Sequence, residues 1–342
     1  MPDSSIYHPI PPARRDAVEH AVRQTFPGQE LESLAPLAGG QSGTPIFKLF
    51  VAGRPSVLRV ILVNTPLSDP KRQFTCMELA AREGIAPPVY HADASTGISI
   101  TGFIESRSIR QAMQGSPEPV TQLGELLRRL HAGPAFPVFM DALQMIEGGL
   151  GTLATVKFPL PERVQLCLAH FAKVRDVLRP HWLAVPCHND LNPSNVLFDG
   201  GRPWLIDWEG GSQGDPFFDL ATVLHWFALT PELEAAFLRA YFGAPPDARQ
   251  GAKLELMRHV VSCFYGTVFL LLRVQQGLTS PPASPQPERV PTLLETLRAL
   301  GAGTLKMQEP DVRYQLSLVF FEDALQRALR PEFARALESL GS

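Results

Sequence analysis

The sequence has no large excess of charge of either sign, few cysteines and no apolar run of membrane-spanning length. Its formal net charge is −3 over 342 residues, so no overall field attracts nucleic acid or an anionic membrane, and we expect neither as a partner. Its four cysteines are scattered without a CxxC pair, which predicts reduced thiols, no zinc site and a cytoplasmic location. No window holds the ~18 uninterrupted apolar residues of a membrane span. Residues 1–12 contain no basic patch followed by an apolar core, which argues against a secretory signal.

The composition is that of a folded chain with a sizeable core. Apolar residues make up 45% and charged residues 19% of the sequence, which is typical of a globular protein rather than a disordered one. A chain of this length is long enough to form two lobes or domains. The composition leaves the oligomeric state open.

A glycine-rich loop precedes the first predicted pair of strands. The loop reads Gly39-Gly40-Gln41-Ser42-Gly43-Thr44, and strands are predicted over 45–51 and 56–63, on either side of an AGRP turn. Glycine lets backbone amides approach an anion closely, and the two hydroxyls add donors, so one interpretation is phosphate binding. The other interpretation is an ordinary tight turn.

Arg59 interrupts the apolar run VLRVILV of the second strand. A cation there is costly to bury unless it is paired, so Arg59 either points to water or grips a phosphate in a cleft. Asp69 and Pro70 predict the start of a helix, and Glu78 in its middle is a candidate ion-pair partner for Arg59. Two more strands are predicted over 88–92 and 98–105.

The stretch PCHNDLNPSNVLFDGGRPWLIDWEGGSQGDPFFDL, residues 186–220, holds the densest set of polar side chains. Strands over 195–198 and 203–206 flank a DGGR turn, which predicts a hairpin. Antiparallel pairing then brings Asn195 within about one residue of Asp207. Amide and carboxylate oxygens suit magnesium, and Asp190, on the loop entering the hairpin, can take the proton of an attacking hydroxyl. The pattern favours phosphoryl transfer.

Three further polar residues are predicted to support this stretch. His188 lies two residues before Asp190. Asp215 and Asp219 lie at the start of a predicted helix, where we expect them to cap it and to brace the catalytic loop through backbone hydrogen bonds rather than to bind metal.

The motifs HNDLNPSN, LIDWE and GDPFFDLA, in this order and spacing, resemble those of the aminoglycoside phosphotransferase and choline kinase superfamily. The resemblance implies an α+β, protein-kinase-like fold of two lobes, with a small β-rich N-terminal lobe over 1–104, a hinge over 105–108 and a larger, mostly helical C-terminal lobe over 109–342. LIDWE also resembles the bacterial choline kinase branch, in which tyrosine usually stands where this chain has Gly210.

The resemblance also implies a role for each matching residue. Asp190 is the catalytic base, and Asn195 and Asp207 hold Mg²⁺. The nucleotide, ATP or GTP, is bound by the glycine-rich loop, by an Arg59–Glu78 pair that replaces the lysine–glutamate pair of protein kinases, and by the adenine-facing connector: Gly40, Ser42, Gly43, Thr44, Arg59, Glu78, Phe103 and Ile104. Arginine is permanently charged and binds two oxygens at once, so the phosphate contact survives the replacement.

The acceptor is the least determined part of the prediction. A small metabolite with a hydroxyl is favoured, such as choline, ethanolamine or a thiamine-like amino alcohol. The alternatives are an antibiotic phosphotransferase acting on an aminoglycoside or macrolide, and a catalytically silent nucleotide-binding module. Five aromatic residues either form a wall for a quaternary ammonium group or belong to the core: Trp208, Trp226, Tyr241, Phe242 and Tyr265.

Overall fold

The structure is a computed structural model that describes residues 4–37, 44–283 and 289–341. The chain divides into two compact units. The first unit runs up to Pro137 and includes Ser194–Ser212, and the second comprises Val138–Pro193 and the chain from Gln213 onward. The division into an N-terminal lobe over 1–104, a hinge over 105–108 and a C-terminal lobe over 109–342 stays a prediction.

The first unit contains an antiparallel five-stranded sheet, whose strands lie in chain order except that the last two are exchanged, and four α-helices among its described residues. Its elements in chain order are α1 (Arg15–Thr25), β1 (Leu31–Pro36), β2 (Ile46–Val51), β3 (Arg54–Val60), α2 (Pro70–Arg82), β4 (Val89–Asp93), β5 (Ile98–Gly102), α3 (Ile109–Gly115), α4 (Glu118–His131), β7 (Val196–Phe198) and β8 (Pro203–Leu205).

The two faces of this sheet differ because side chains alternate along a strand. Leu58 and Val60 of β3 are fully buried in a core shared with α1. Arg59, between them, therefore points to the opposite face. The apolar run VLRVILV continues beyond the end of β3, because the strand ends at Val60 and Val63 is 66% exposed. The predicted strand over 56–63 was too long for this reason.

The hairpin of β7 and β8 is fastened to the rest of the first unit at two places. Arg107, in the predicted hinge, donates its backbone N–H to the carbonyl of Phe198 at 2.7 Å. The turn that follows α2 accepts two bonds, from Leu205 N to Ile85 O and from Arg202 Nη1 to Gly84 O, both at 2.9 Å. The hairpin thus belongs to the same packed body as the sheet.

The second unit is mostly helical. Its elements in chain order are α5 (Ala142–Thr155), α6 (Glu162–Leu178), β6 (Val185–Cys187), β9 (Ser212–Gly214, whose first residue closes the first unit), α7 (Pro216–Trp226), α8 (Pro231–Phe242), α9 (Ala248–Val274), α10 (Leu293–Gly301), α11 (Pro310–Ala328) and α12 (Pro331–Gly341).

Helix α9 is the core of the second unit. Among the described residues it alone is long and apolar enough to cross a membrane by length and composition, but 78% of its apolar window is buried inside the structure. Helices α5, α6, α7, α11 and α12 pack against it. Gly266 of α9 is in close contact with Phe321 of α11, because a Cβ there would lie 2.9 Å from the ring.

Candidate functional site

The predicted hairpin register is confirmed. Val196 pairs with Leu205, and Ile206 N donates to Asn195 O at 3.0 Å. The DGGR turn sets this register, since Asp199 Oδ1 accepts from the backbone N–H groups of Gly201 and Arg202 at 2.7 and 2.8 Å. The side chains of Asn195 and Asp207 therefore leave the same end of the hairpin.

Arg59 reaches this end of the hairpin from β3. Its Nη1 donates to Asp207 Oδ1 at 2.6 Å, and its Nη2 lies 3.6 Å from Glu209 Oε2. The Arg59 side chain is 15% exposed, so a nearby carboxylate offsets the loss of solvation of its guanidinium. Arg59 is paired and faces the hairpin rather than open water.

The predicted Arg59–Glu78 ion pair was wrong. Glu78 lies half-buried in the middle of α2, and the ion-pair partners of Arg59 are the hairpin carboxylates of Asp207 and Glu209. The hairpin presents two carboxylates to one planar guanidinium, and this pairing replaces the expected one.

Asp207 has a left-handed backbone, with φ 62° and ψ 72°. This region is uncommon for residues other than glycine and costs of order 1 kcal/mol or more. Such strain persists where the surroundings determine the conformation, and it is frequent at functional sites. The conformation turns the chain sharply between β8 and Trp208, which is buried and in edge contact with Phe136 at 5.8 Å between ring centroids.

The donor set at the hairpin end fits magnesium. Asn195, which is 6% exposed, offers an amide oxygen. Asp207 offers a carboxylate, one oxygen of which accepts from Arg59. These are the hard oxygen donors that magnesium prefers, and two protein ligands are usual because this ion keeps several waters. The role of both residues as ligands stays a prediction.

Lys48 is a second cation on the face of Arg59 that sequence reasoning missed. Ile46 pairs with Arg59 and Lys48 with Val57, so their side chains share one face of the sheet. Lys48 Nζ lies 3.8 Å from the ring centroid of Phe103. The alternation of IFKLFV, in which Lys48 stands between buried Phe47 and Leu49, was the available signal.

The other predicted nucleotide residues are only partly described. Gly40, Ser42 and Gly43 lie outside the described residues. Thr44, Phe103 and Ile104 are half-buried. Their contacts with a nucleotide stay predictions.

Asp190, in the second unit, is held by side chains on two sides. Tyr265 of α9 donates its hydroxyl to Asp190 Oδ1 at 3.1 Å. Asn192 Nδ2 lies 3.2 and 3.3 Å from the two carboxylate oxygens. Burial raises the pKa of Tyr265, and the adjacent carboxylate raises that pKa further, so the phenol stays protonated and donates.

Asp219 braces the loop that carries Asp190. Its carboxylate, which is fully buried, accepts from His188 N at 2.8 Å and from Asn189 N at 2.7 Å. Asn189 has a φ of 63°, so the loop turns sharply just before Asp190. His188 is fully buried, and its Nδ1 lies 3.3 Å from Asp190 N.

Asp215 caps α7 and forms a buried ion pair. Its Oδ1 accepts from Phe217 N at 3.0 Å, and its Oδ2 accepts from Leu183 N at 2.9 Å and from Lys253 Nζ at 2.6 Å. Burial raises the pKa of Asp215, while the Lys253 ammonium opposes that rise. In this arrangement Asp215 joins the start of α7 to Lys253 of α9, which is a structural role rather than ligand binding.

Four of the five aromatic candidates for a quaternary ammonium site form two contacting pairs. Trp226 and Tyr265 are both 6% exposed, lie in edge contact at 5.1 Å and pack on Phe320. Tyr241 and Phe242 are half-buried and contact each other at 4.8 Å. Burial places Trp226 and Tyr265 in the core, with the Tyr265 hydroxyl directed at Asp190.

The model of one protein family matches residues 33–254, and its description is "Phosphotransferase enzyme family". This match spans the sheet, the hairpin and the Asp190 loop, which is well over half of the chain. The chain belongs to this family. The resemblance inferred from HNDLNPSN, LIDWE and GDPFFDLA is confirmed.

The chain is similar to Protein LicA of Haemophilus influenzae, with 28% identity over 210 residues, or 59% of the chain. The match spans 61% of that relative's length. A solved structure of a choline/ethanolamine kinase family protein from Mesorhizobium loti aligns at a TM-score of 0.69 and 22% identity, covering 95% of this chain and 98% of the other. A solved structure of LicA in complex with AMP aligns at a TM-score of 0.59 and 16% identity, covering 90% of this chain and 98% of the other. The predicted α+β, protein-kinase-like fold is confirmed.

We predict that Asp219→Ala lowers the free energy of unfolding by about 2–4 kcal/mol, because one buried and one half-buried backbone N–H group lose their acceptor. Denaturant unfolding measures the loss. The matched control is Asp199→Ala, which also removes a carboxylate that accepts two backbone N–H groups, but in an exposed turn. We expect a much smaller loss there. Equal losses in the two variants would show that burial of the Asp219 contacts is unimportant.

Proposed function

We propose that this protein transfers the γ-phosphoryl group of ATP, with magnesium, to a hydroxyl group of a small amino alcohol of the choline, ethanolamine or thiamine type, in the cytoplasm. The observation that carries the proposal is the near full-length alignment with the choline/ethanolamine kinase family protein, 95% of one chain on 98% of the other. It includes the helices beyond residue 254, where the family model ends. Similarity to choline kinase LicA from Streptococcus pneumoniae, whose structure aligns over 91% of this chain, supports the same acceptor class.

The nucleotide assignment rests on the first unit. Arg59 carries a permanent positive charge beside Asp207, and Lys48 adds another on the same face. Magnesium, when bound by Asn195 and Asp207, would neutralise charge on the phosphate oxygens during transfer. The AMP complex of LicA favours adenine over guanine.

The transfer step in this proposal uses Asp190 as the base. The carboxylate accepts the proton of the acceptor hydroxyl as its oxygen attacks the γ-phosphorus and the bond to the β-phosphate oxygen breaks. Tyr265 and Asn192 donate to this carboxylate, which fixes its orientation. Asp219 holds the loop behind it through two backbone bonds.

We predict that Asp190→Ala lowers turnover by several orders of magnitude and leaves nucleotide binding nearly unchanged, whereas Asp207→Ala abolishes magnesium-dependent nucleotide binding. The two residues differ because one handles the proton and the other holds the metal. Steady-state kinetics and calorimetric titration of ATP with and without magnesium separate the two effects. An equal loss of nucleotide affinity in both variants would contradict these roles.

We predict that Tyr265→Phe lowers turnover about tenfold, the value of one hydrogen bond to a charged group, with nucleotide affinity unchanged. Tyr314→Phe is the control, since Tyr314 is also buried and belongs to the same unit. Unchanged turnover in Tyr265→Phe would show that its hydroxyl does not serve the base.

The acceptor is tested by a screen of ATP consumption with magnesium over choline, ethanolamine, thiamine, aminoglycosides and macrolides. We expect ADP and a phosphomonoester to form together with one of the amino alcohols. Phosphorylation of an antibiotic instead would support an antibiotic phosphotransferase. No consumption and no nucleotide binding would support a silent module.

A further inference from the structure

Helix α2 is attached to the loop that follows Asp207 by a buried arginine. The guanidinium of Arg72 makes three hydrogen bonds to backbone carbonyls. Nη1 donates to Glu209 O and to Gly211 O, both at 2.8 Å, and Nη2 donates to Leu67 O at 2.5 Å. Arg72 is 4% exposed. Two of the three acceptors lie within four residues of Asp207.

The loop lies unusually close to α2 at the same place. A Cβ on Gly211 would stand 3.0 Å from Cβ of Cys76, one turn along α2 from Arg72, and 3.0 Å from the carbonyl of Trp208. Glycine therefore permits the approach that brings the two carbonyls within reach of Arg72. The contact is built by both partners, the arginine from α2 and the glycine from the loop.

The need for an arginine follows from the geometry of its head group. A planar guanidinium directs several N–H donors along fixed directions, whereas lysine presents a compact charge on a flexible stem. Holding Glu209 O, Gly211 O and Leu67 O together requires donors of fixed relative orientation. The three bonds to carbonyls also offset the loss of solvation that burial imposes on the cation.

We infer that Arg72 is a positioning residue for the magnesium–nucleotide site: it fixes the backbone of residues 207–211 so that the Asp207 carboxylate is held ready for the metal. The inference rests on the proposed function. Arg59 holds the side chains of Asp207 and Glu209, and Arg72 holds the backbone beyond them. Arg72 thus links α2 to the site, which is the link that an Arg59–Glu78 pair was expected to make.

The test measures the affinity of the protein for Mn²⁺–ATP, by calorimetry and by the electron paramagnetic resonance signal of Mn²⁺, in Arg72→Lys and in the wild type. Loss of a group that orients a metal ligand typically costs about 10–100-fold in metal affinity, and we expect a loss in this range. The KM of the acceptor should change by less than about twofold. Uniform damage to the fold would instead weaken Mn²⁺–ATP binding and raise the KM of the acceptor together.

Arg273→Lys is the matched control. Arg273 is also 4% exposed and donates to the carbonyls of Ser280 and Pro310, but it belongs to the second unit. Thermal unfolding of both variants shows whether their losses of stability are alike. We expect Arg273→Lys to keep the wild-type affinity for Mn²⁺–ATP.

A second variant keeps the test decisive if Arg72→Lys does not fold. Gly211→Ala must displace the loop from α2, so it should weaken Mn²⁺–ATP binding and spare the KM of the acceptor. If the wild type binds Mn²⁺–ATP and a folded variant binds it equally well, the inference is wrong while the proposed function stands. If the wild type itself binds no Mn²⁺–ATP, the proposed function fails and the inference with it.

Discussion

The contact between Arg59 and Asp207 is the interaction on which the site of the first unit depends. Arg59 stands in an apolar strand, and its side chain is only 15% exposed. Such a charge is stable there only with a partner, and the partner is the carboxylate that the hairpin delivers at 2.6 Å. The strand that carries Arg59 and the hairpin that carries Asn195 and Asp207 are thereby fixed to each other. Asp207 itself has a left-handed backbone, and the carbonyls of Glu209 and Gly211 just beyond it accept from Arg72.

Local chemistry allowed part of this to be predicted. The DGGR turn determines the register of its hairpin, and a register slip of one residue would reverse every side chain, so Asn195 and Asp207 could be placed at one end from spacing alone. Asp69 followed by Pro70 likewise determined the start of α2, where Asp69 accepts from Lys71 N. Both features depend on residues a few positions apart.

Partners far apart in sequence could not be found in this way. Arg59 and Asp207 are 148 positions apart, and Arg72 and Gly211 are 139 apart. Predicting the observed partner of Arg59, rather than Glu78, would have required the position of the hairpin relative to β3. That position depends on the bonds that Gly84 O and Ile85 O accept from Arg202 and Leu205. Tyr265 was missed as a partner of Asp190 because a tyrosine in a very apolar helix has the pattern of a core residue, and its ring does lie in the core.

The two units contribute different parts of the proposed chemistry. The first contains Arg59, Lys48, Asn195 and Asp207, which we propose bind a magnesium nucleotide. The second contains Asp190, our proposed base, with Tyr265 and Asn192 bonded to its carboxylate and Asp219 bonded to its loop. The most direct test of the first part is a calorimetric titration of ATP into the wild type and into Arg59→Met, with magnesium and without it. We predict binding that requires magnesium and that weakens at least about tenfold in Arg59→Met, because both the phosphate contact and the partner of Asp207 are lost. Equal binding by the two proteins, or binding indifferent to magnesium, would contradict the role of the Arg59–Asp207 contact.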